Sequence, residues 1–213
     1  MSASVILIAN PKGGAGKSTL ATNLAGLLAN RRGGYGGVQV MLGDVDRQQS
    51  SRVWLASRPD SVAPICGWDW TPGSPARPPQ GTTHIVLDTP AGLHGDKLKE
   101  LLRQTTSVLV PVQPSVFDIE ATRVFLDSLA EKKAARGLSV ALVGMRVDAR
   151  TRSAEMLTRF VESSGLPLLT CLRDTQNYVQ LAARGLTLFD MPPSRVEKDL
   201  MQWRAIETWL FPY

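Results

Sequence analysis

The chain has 213 residues, 43% of them hydrophobic and 20% charged, which suits a globular fold with a substantial core and excludes a disordered or fibrous chain. The formal net charge is +5. No apolar run approaches the roughly 20 residues that span a bilayer, and Met1–Ser4 lack the basic start of a secretory leader, so a cytoplasmic protein is expected. The two cysteines, Cys66 and Cys171, form no CxxC pair or metal-ligand spacing and are expected as buried small hydrophobes.

Apolar, β-branched runs alternate with helical stretches along the whole chain. The strands predicted are Val5–Ala9, Val38–Leu42, His84–Leu87, Ser107–Val112, Val140–Met145 and a short Pro167–Thr170. The helices predicted between them are Lys17–Asn30, Gln49–Ser57, Gly95–Gln104, Ile119–Arg136, Ser153–Ser164, Asn177–Ala183 and Arg195–Leu210. Val124 and Leu129, with Leu157, Phe160 and Val161, supply apolar stripes. This rhythm predicts an α/β fold, a mostly parallel twisted sheet with helices on both faces, in one domain over 1–213. Ser61–Thr82, with five prolines and Trp68 and Trp70, reads as a long surface loop with room for one short edge strand. It is either a tolerated insertion or an aromatic contact for a partner.

The first strand leads into Lys12-Gly13-Gly14-Ala15-Gly16-Lys17-Ser18-Thr19 and then a helix. This strand–Gly-rich turn–helix order is what a phosphate-binding P-loop requires. Side chains at the glycines would block the approach of backbone N–H groups to a β-phosphate. Lys17 is placed to reach the β- and γ-oxygens and Ser18 to ligate Mg²⁺, while the helix N-terminus favours the anion. Gly13, Gly14, Ala15, Gly16 and Thr19 complete the cradle. The cofactors expected are ATP and Mg²⁺.

A second lysine, Lys12, stands just before the glycine pair. The run Pro11-Lys12-Gly13-Gly14-x-Gly-Lys-Ser-Thr resembles the deviant Walker A motif of the ParA/MinD family of P-loop ATPases. Four further segments resemble that family in the same order: Asp44-Val45-Asp46-Arg47-Gln48, Ile85–Gly92, Val110–Asp118 and Met145–Thr151. The resemblance implies an ATPase in which Lys12 reaches across a homodimer to the partner's nucleotide, so that slow hydrolysis waits on dimerisation. It implies that Asp46 orients the attacking water, that Asp88 holds the Mg²⁺ shell, and that Asp44 is a carboxylate either on the Mg²⁺ side or behind the residues that hold it. Two positions depart from the family: Arg47 stands for its proline and Met145 for an asparagine that touches adenine. Base recognition is then expected from Arg146 and from the backbone around Met191 and Pro192.

Nine of the basic residues lie in the last third, and they are either a solvated surface or, as the resemblance implies, a face for DNA without sequence preference. The positions expected to contact it are Arg152, Arg173, Arg195 and Lys198, with Arg184 as a further candidate. A stimulating adaptor protein and association with the nucleoid are also implied. The last helix carries Glu197, Asp199 and Glu207, and its aromatic stripe is expected to pack on the domain rather than on a membrane. Two other functions fit the same loop: a metabolic ligase of the dethiobiotin-synthetase type, and a MinD-like membrane regulator. Lys12 and Val110–Asp118 weigh against the first, and the C-terminal helix against the second.

Overall fold

The computed structural model describes residues 3–31, 39–46, 48–69 and 78–212, with 131–136 described by their backbone alone. Seven strands form one sheet: β1 (Ser4–Ile8), β2 (Gln39–Asp44), β3 (Cys66–Trp68), β4 (Thr82–Asp88), β5 (Ser107–Val112), β6 (Ser139–Met145) and β7 (Leu168–Leu172). The spatial order is β3-β2-β4-β1-β5-β6-β7, and every pairing is parallel. Parallel neighbours need crossovers, and helices supply them: α1 (Lys17–Asn30), α2 (Ser50–Ala56), α3 (Gly95–Gln104), α4 (Val116–Arg136), α5 (Arg152–Ser164), α6 (Gln176–Ala182) and α7 (Pro193–Leu210), with a 3-10 turn at Leu188–Asp190.

The unbroken apolar run in β1 serves two cores. Val5, Leu7 and Ala9 face a cluster with Leu98, Leu101, Phe125 and Phe160. Ile6 and Ile8 face the other side, with Leu20, Leu24, Leu28, Trp203 and Ile206. A strand buried on both faces has no polar alternation to show. β1 sits between β4 and β5, so the loop leaving its C-terminal end opens where the chain's path over the sheet reverses, the usual place for a ligand in such folds.

The sequence-derived elements recur with shifted ends. β2 and β7 each run two residues further than expected. α4 starts three residues early, because the Ser115 side chain accepts from the Asp118 amide and caps it. α7 starts at Pro193, a residue pre-set for the first helical turn. Two core expectations are overturned. Cys66 is exposed, since β3 is a short edge strand, and Cys171 is half-buried; both are free thiols. Val124 is 70% exposed, and Phe125, Leu126 and Leu129 fill the core from α4 in its place. In α7, Trp203 and Ile206 are buried as expected. No helix among the described residues is long and apolar enough to cross a membrane.

Candidate nucleotide site

The glycine loop joins β1 to α1 and is fastened on both sides. Asn10, buried at the end of β1, donates its side-chain amide to Pro111 O at 2.7 Å and to Thr122 Oγ1 at 2.9 Å. Its carbonyl oxygen accepts from the Lys12 amide at 2.8 Å. On the other side Gly92 N donates to Pro11 O at 2.8 Å, and Thr89 Oγ1 to Ile8 O at 2.8 Å. Gln113 then donates to Gly14 O at 2.5 Å. The loop is therefore set by β4 and by the β5–α4 connection before any ligand arrives.

Within the loop Gly14 and Gly16 hold φ of +78° and +92°, a region closed to most side chains. At Gly16 a Cβ would also stand 2.8 Å from the Met145 Cε. Met145 thus occupies the floor beside the loop, where the resembling family has an asparagine. Lys17 opens α1 and its ammonium donates to Lys12 O at 2.8 Å. Burial lowers the Lys17 pKa, opposed by the charges of Asp88 and Asp46, so both carboxylates lie within electrostatic reach.

Asp88 ends β4 at 1% exposure. Its Oδ2 accepts from Ser51 Oγ at 2.6 Å, while Oδ1 is buried without a bonded partner. Burial pushes the carboxyl up to about 6, with Asp44 adding to the rise. The hydroxyls of Ser51 and Ser18 and the Lys17 ammonium pull the other way; Ser18 acts on the carboxylate without the distance and angle of a formed bond. An unpartnered buried carboxylate oxygen near a serine hydroxyl and a lysine is a hard-oxygen donor set that fits Mg²⁺ and its water shell.

Asp44 is placed differently from the metal-side expectation. Its Oδ1 accepts from Asp46 N at 3.0 Å, and its Oδ2 from Ser51 N at 2.8 Å and Arg52 N at 3.1 Å. Those bonds cap α2 and hold the Asp46 loop, which leaves Asp44 a supporting carboxylate. Asp46 is half-buried and accepts from Gln48 N at 3.0 Å. Arg47 lies outside the described residues. Lys12 is half-buried, and among the described residues no carboxylate pairs with its ammonium.

Beside the loop lies a cavity of about 240 Å³ lined by Gly16, Thr19, Met145, Arg146, Arg173 and Asp174, with Tyr178 behind. Arg146 lines it, at φ +53°. Met191 and Pro192 do not. Leu188–Asp190 is fixed to the far half of α1: Asn30 donates to Asp190 at 3.2 Å, and Leu188 N to Asn23 at 3.1 Å. Arg58 grips Asp190 through two bonds of 2.9 Å, both side chains nearly fully buried. Burial alone would raise the Asp190 pKa, but the bonds from Arg58 and Thr187 hold it below the ordinary range. β7–α6 contributes most of the remaining lining of the cavity beside the loop.

Met191 lines another cavity, of about 410 Å³, with Asn177, Gln180, Leu181, Arg184, Arg195 and Val196. Arg184 and Arg195 come together here, and Lys198 is exposed one turn after Arg195. Arg173 is not part of this group. Its Nε donates to the buried Asp199 at 2.5 Å, and it faces the loop-side cavity. Arg152 opens α5 and lines neither cavity.

A glycine loop at the end of the central strand, a lysine inside it and a buried aspartate on the neighbouring strand define a P-loop nucleotide-binding protein. The chain belongs to the CobQ/CobB/MinD/ParA nucleotide-binding domain family, whose profile matches residues 6–188. It is 26% identical over 193 residues to the maintenance of carboxysome distribution protein A of Halothiobacillus neapolitanus, covering 87% of each chain. It is 28% identical over 187 residues to the chromosome-partitioning ATPase Soj of Thermus thermophilus, covering 71% of this chain and 73% of Soj. An ATP complex of Cyanothece McdA shares the fold with a TM-score of 0.71 at 18% identity, over 97% of this chain and 98% of that one.

Proposed function

We propose that this chain is a ParA-type positioning ATPase. Two copies close face to face around two ATP molecules, and Lys12 of each reaches the nucleotide of the other. The closed dimer binds duplex DNA without sequence preference and an adaptor protein triggers hydrolysis and release, so that a cargo is distributed over the nucleoid. The relatives' names supply two kinds of cargo, a carboxysome and a chromosome.

The observation that carries this reading is the pair of lysines on one loop with opposite settings. Lys17 is buried and tied to the loop itself, whereas Lys12 has its amide fixed by Asn10 and its ammonium unpaired among the described residues. A cation held at the mouth of a phosphate cradle but not used within its own chain suits a role in trans, as an arginine finger serves other P-loop proteins. Within the site Lys17 and the loop amides bind the phosphates, and Ser18 and Asp88 would hold Mg²⁺, which neutralises phosphate charge when bound. Asp46, beside Lys17 on the loop that Asp44 braces, would accept a hydrogen bond from the attacking water. Arg146 and the β7–α6 segment would receive the base. Arg184, Arg195 and Lys198 form the best-grouped candidate DNA face, with Arg152 apart from it.

Size-exclusion chromatography with ATP and Mg²⁺ tests the trans role. The wild type should run as a dimer and Lys12→Ala as a monomer that still binds ATP; an ATP-dependent Lys12→Ala dimer as stable as wild type would remove the role. A random-sequence duplex should be retarded only with ATP present. No retardation at low salt would leave the ligase reading of the same fold in front.

A further inference from the structure

Ser51 has no place in the motifs, yet it is fully buried against the aspartate on which the metal side of the site depends. A carboxylate can turn about its last torsion and exchange its two oxygens, and that torsion is intrinsically soft. Here one formed bond, from a neutral donor, fixes which oxygen is taken. Ser51 Oγ takes Oδ2 at 2.6 Å, and Oδ1 is the oxygen left over, buried and unbonded.

The hydroxyl is itself held from behind. Ser51 N donates to Asp44 Oδ2 at 2.8 Å, Asp44 Oδ1 receives Asp46 N at 3.0 Å, and Val45 N donates to Asp88 O at 2.9 Å. The bonds close a ring that runs from Asp88 through Ser51, the start of α2 and Asp44 to the Asp46 loop, and back to the end of β4. Ser51 is the only side chain in that ring that touches the Asp88 carboxylate by a formed bond among the described residues.

We propose that Ser51 is a positioning residue for the metal side of the site: its hydroxyl orients Asp88 so that one oxygen is kept for the Mg²⁺ water shell, and it ties that setting to the loop carrying Asp46. This rests on the reading of Ser18 and Asp88 as the Mg²⁺ side. Residues behind a metal-holding group are commonly worth about 10- to 100-fold in metal affinity.

The test measures binding of a fluorescent ATP analogue to the full chain in EDTA and then across a MgCl₂ titration. Ser51→Ala and Ser51→Cys should bind the nucleotide in EDTA as wild type does, which also reports an intact fold. The Mg²⁺ concentration giving half of the affinity gain should rise by about 10- to 100-fold in both. Cysteine fills the space of the serine but donates weakly, so equal losses in the two variants point to the hydrogen bond rather than to a cavity. A Mg²⁺ midpoint unchanged in Ser51→Ala, with Asp88→Asn shifted, overturns the positioning role and leaves the metal reading standing. Equal weakening of Ser51→Ala in EDTA and in Mg²⁺ reduces Ser51 to a structural contact. No Mg²⁺ gain in the wild type removes the metal reading and the proposal together.

Discussion

Asp88→Asn should make the nucleotide-free protein more stable at neutral pH, and by an amount that depends on pH in a defined window. The carboxyl has an ordinary value of 3.8 and stands at about 6 in the fold, chiefly because it is buried. Well below pH 3.8 it is protonated in both folded and unfolded chains and contributes nothing to the difference. As pH rises through the interval the unfolded chain loses its proton first, so this group makes stability fall. Above about pH 6 both forms are charged and the full cost remains. A rise of this size corresponds to about 3 kcal/mol. Asparagine keeps the shape and an acceptor for Ser51 but has no charge to desolvate. Urea unfolding in EDTA, repeated from pH 4 to 7.5, should show the variant within about 1 kcal/mol of wild type at the acid end and up to about 3 kcal/mol more stable at the neutral end. Carboxylates that do not interact with Asp88 titrate equally in both proteins and cancel in the difference. A difference that is flat across this range would refute the reasoning, because it would mean that Asp88 carries no burial cost. Adding Mg²⁺ and ATP should reverse the order, since the bound ligands need the charge.

The remaining predictions probe other parts of the site. Arg58→Ala should destabilise the chain by about 3–5 kcal/mol, because it strands the buried Asp190 carboxylate; loss of less than about 1 kcal/mol in urea unfolding would deny the pair that role. Asp46→Ala should accumulate the ATP-bound dimer while hydrolysis falls, and unimpaired phosphate release would take Asp46 out of the mechanism. Arg184→Glu combined with Arg195→Glu should keep ATP-dependent dimerisation and lose duplex binding. Reversing Arg195 alone should reduce the slope of log affinity against log salt by about 1, as fits one phosphate contact, and an unchanged slope would place the DNA elsewhere.

The phosphate end of the site was legible in the sequence because its physics is local. Gly14, Gly16, Lys17 and Ser18 are neighbours in the chain, and their spacing alone places amides, an ammonium and a hydroxyl around one point. The cavity wall from β7–α6 was not, because nothing in residues 170–179 has a spacing that reports its closeness to Gly16; that follows from β7 lying three strands from β1. Met191 lies away from the loop-side cavity for a related reason. Its segment is held toward the far half of α1 by Arg58, a residue 132 positions away. Part of that lock could have been read, since Thr187-x-x-Asp190 has the spacing of a capping box, and both of its bonds are present. Asn10 and Ser51 gave no signal at all: a buried side-chain amide and a hydroxyl acquire their roles only from partners 101 and 37 residues away.

The two candidate ligand faces of the C-terminal third share their supports, which bears on why Arg173 and Arg195 separate. Asp199, fully buried in α7, accepts from Arg173 at 2.5 Å on the side of the loop-side cavity and from Asn177 Nδ2 at 2.6 Å on the side of the Arg184–Arg195 cavity. A buried carboxylate needs such donors, and here each comes from a wall of a different cavity. Gln202, one turn further along α7, adds a second tie by accepting from Arg173 N and donating to Cys171 O. Arg173 is thereby drawn inward as a strut, with its guanidinium turned along the loop-side cavity. Among the described residues Arg195 pairs with no carboxylate, and it stays exposed at the start of α7, where the helix departs from regular geometry at Val196. An arginine's role in this region is thus decided by whether α7 offers it a buried acid. On that criterion a charge reversal at Arg173 should disturb folding of the β7–α7 junction before it disturbs any surface contact, whereas reversal at Arg195 should leave the fold alone.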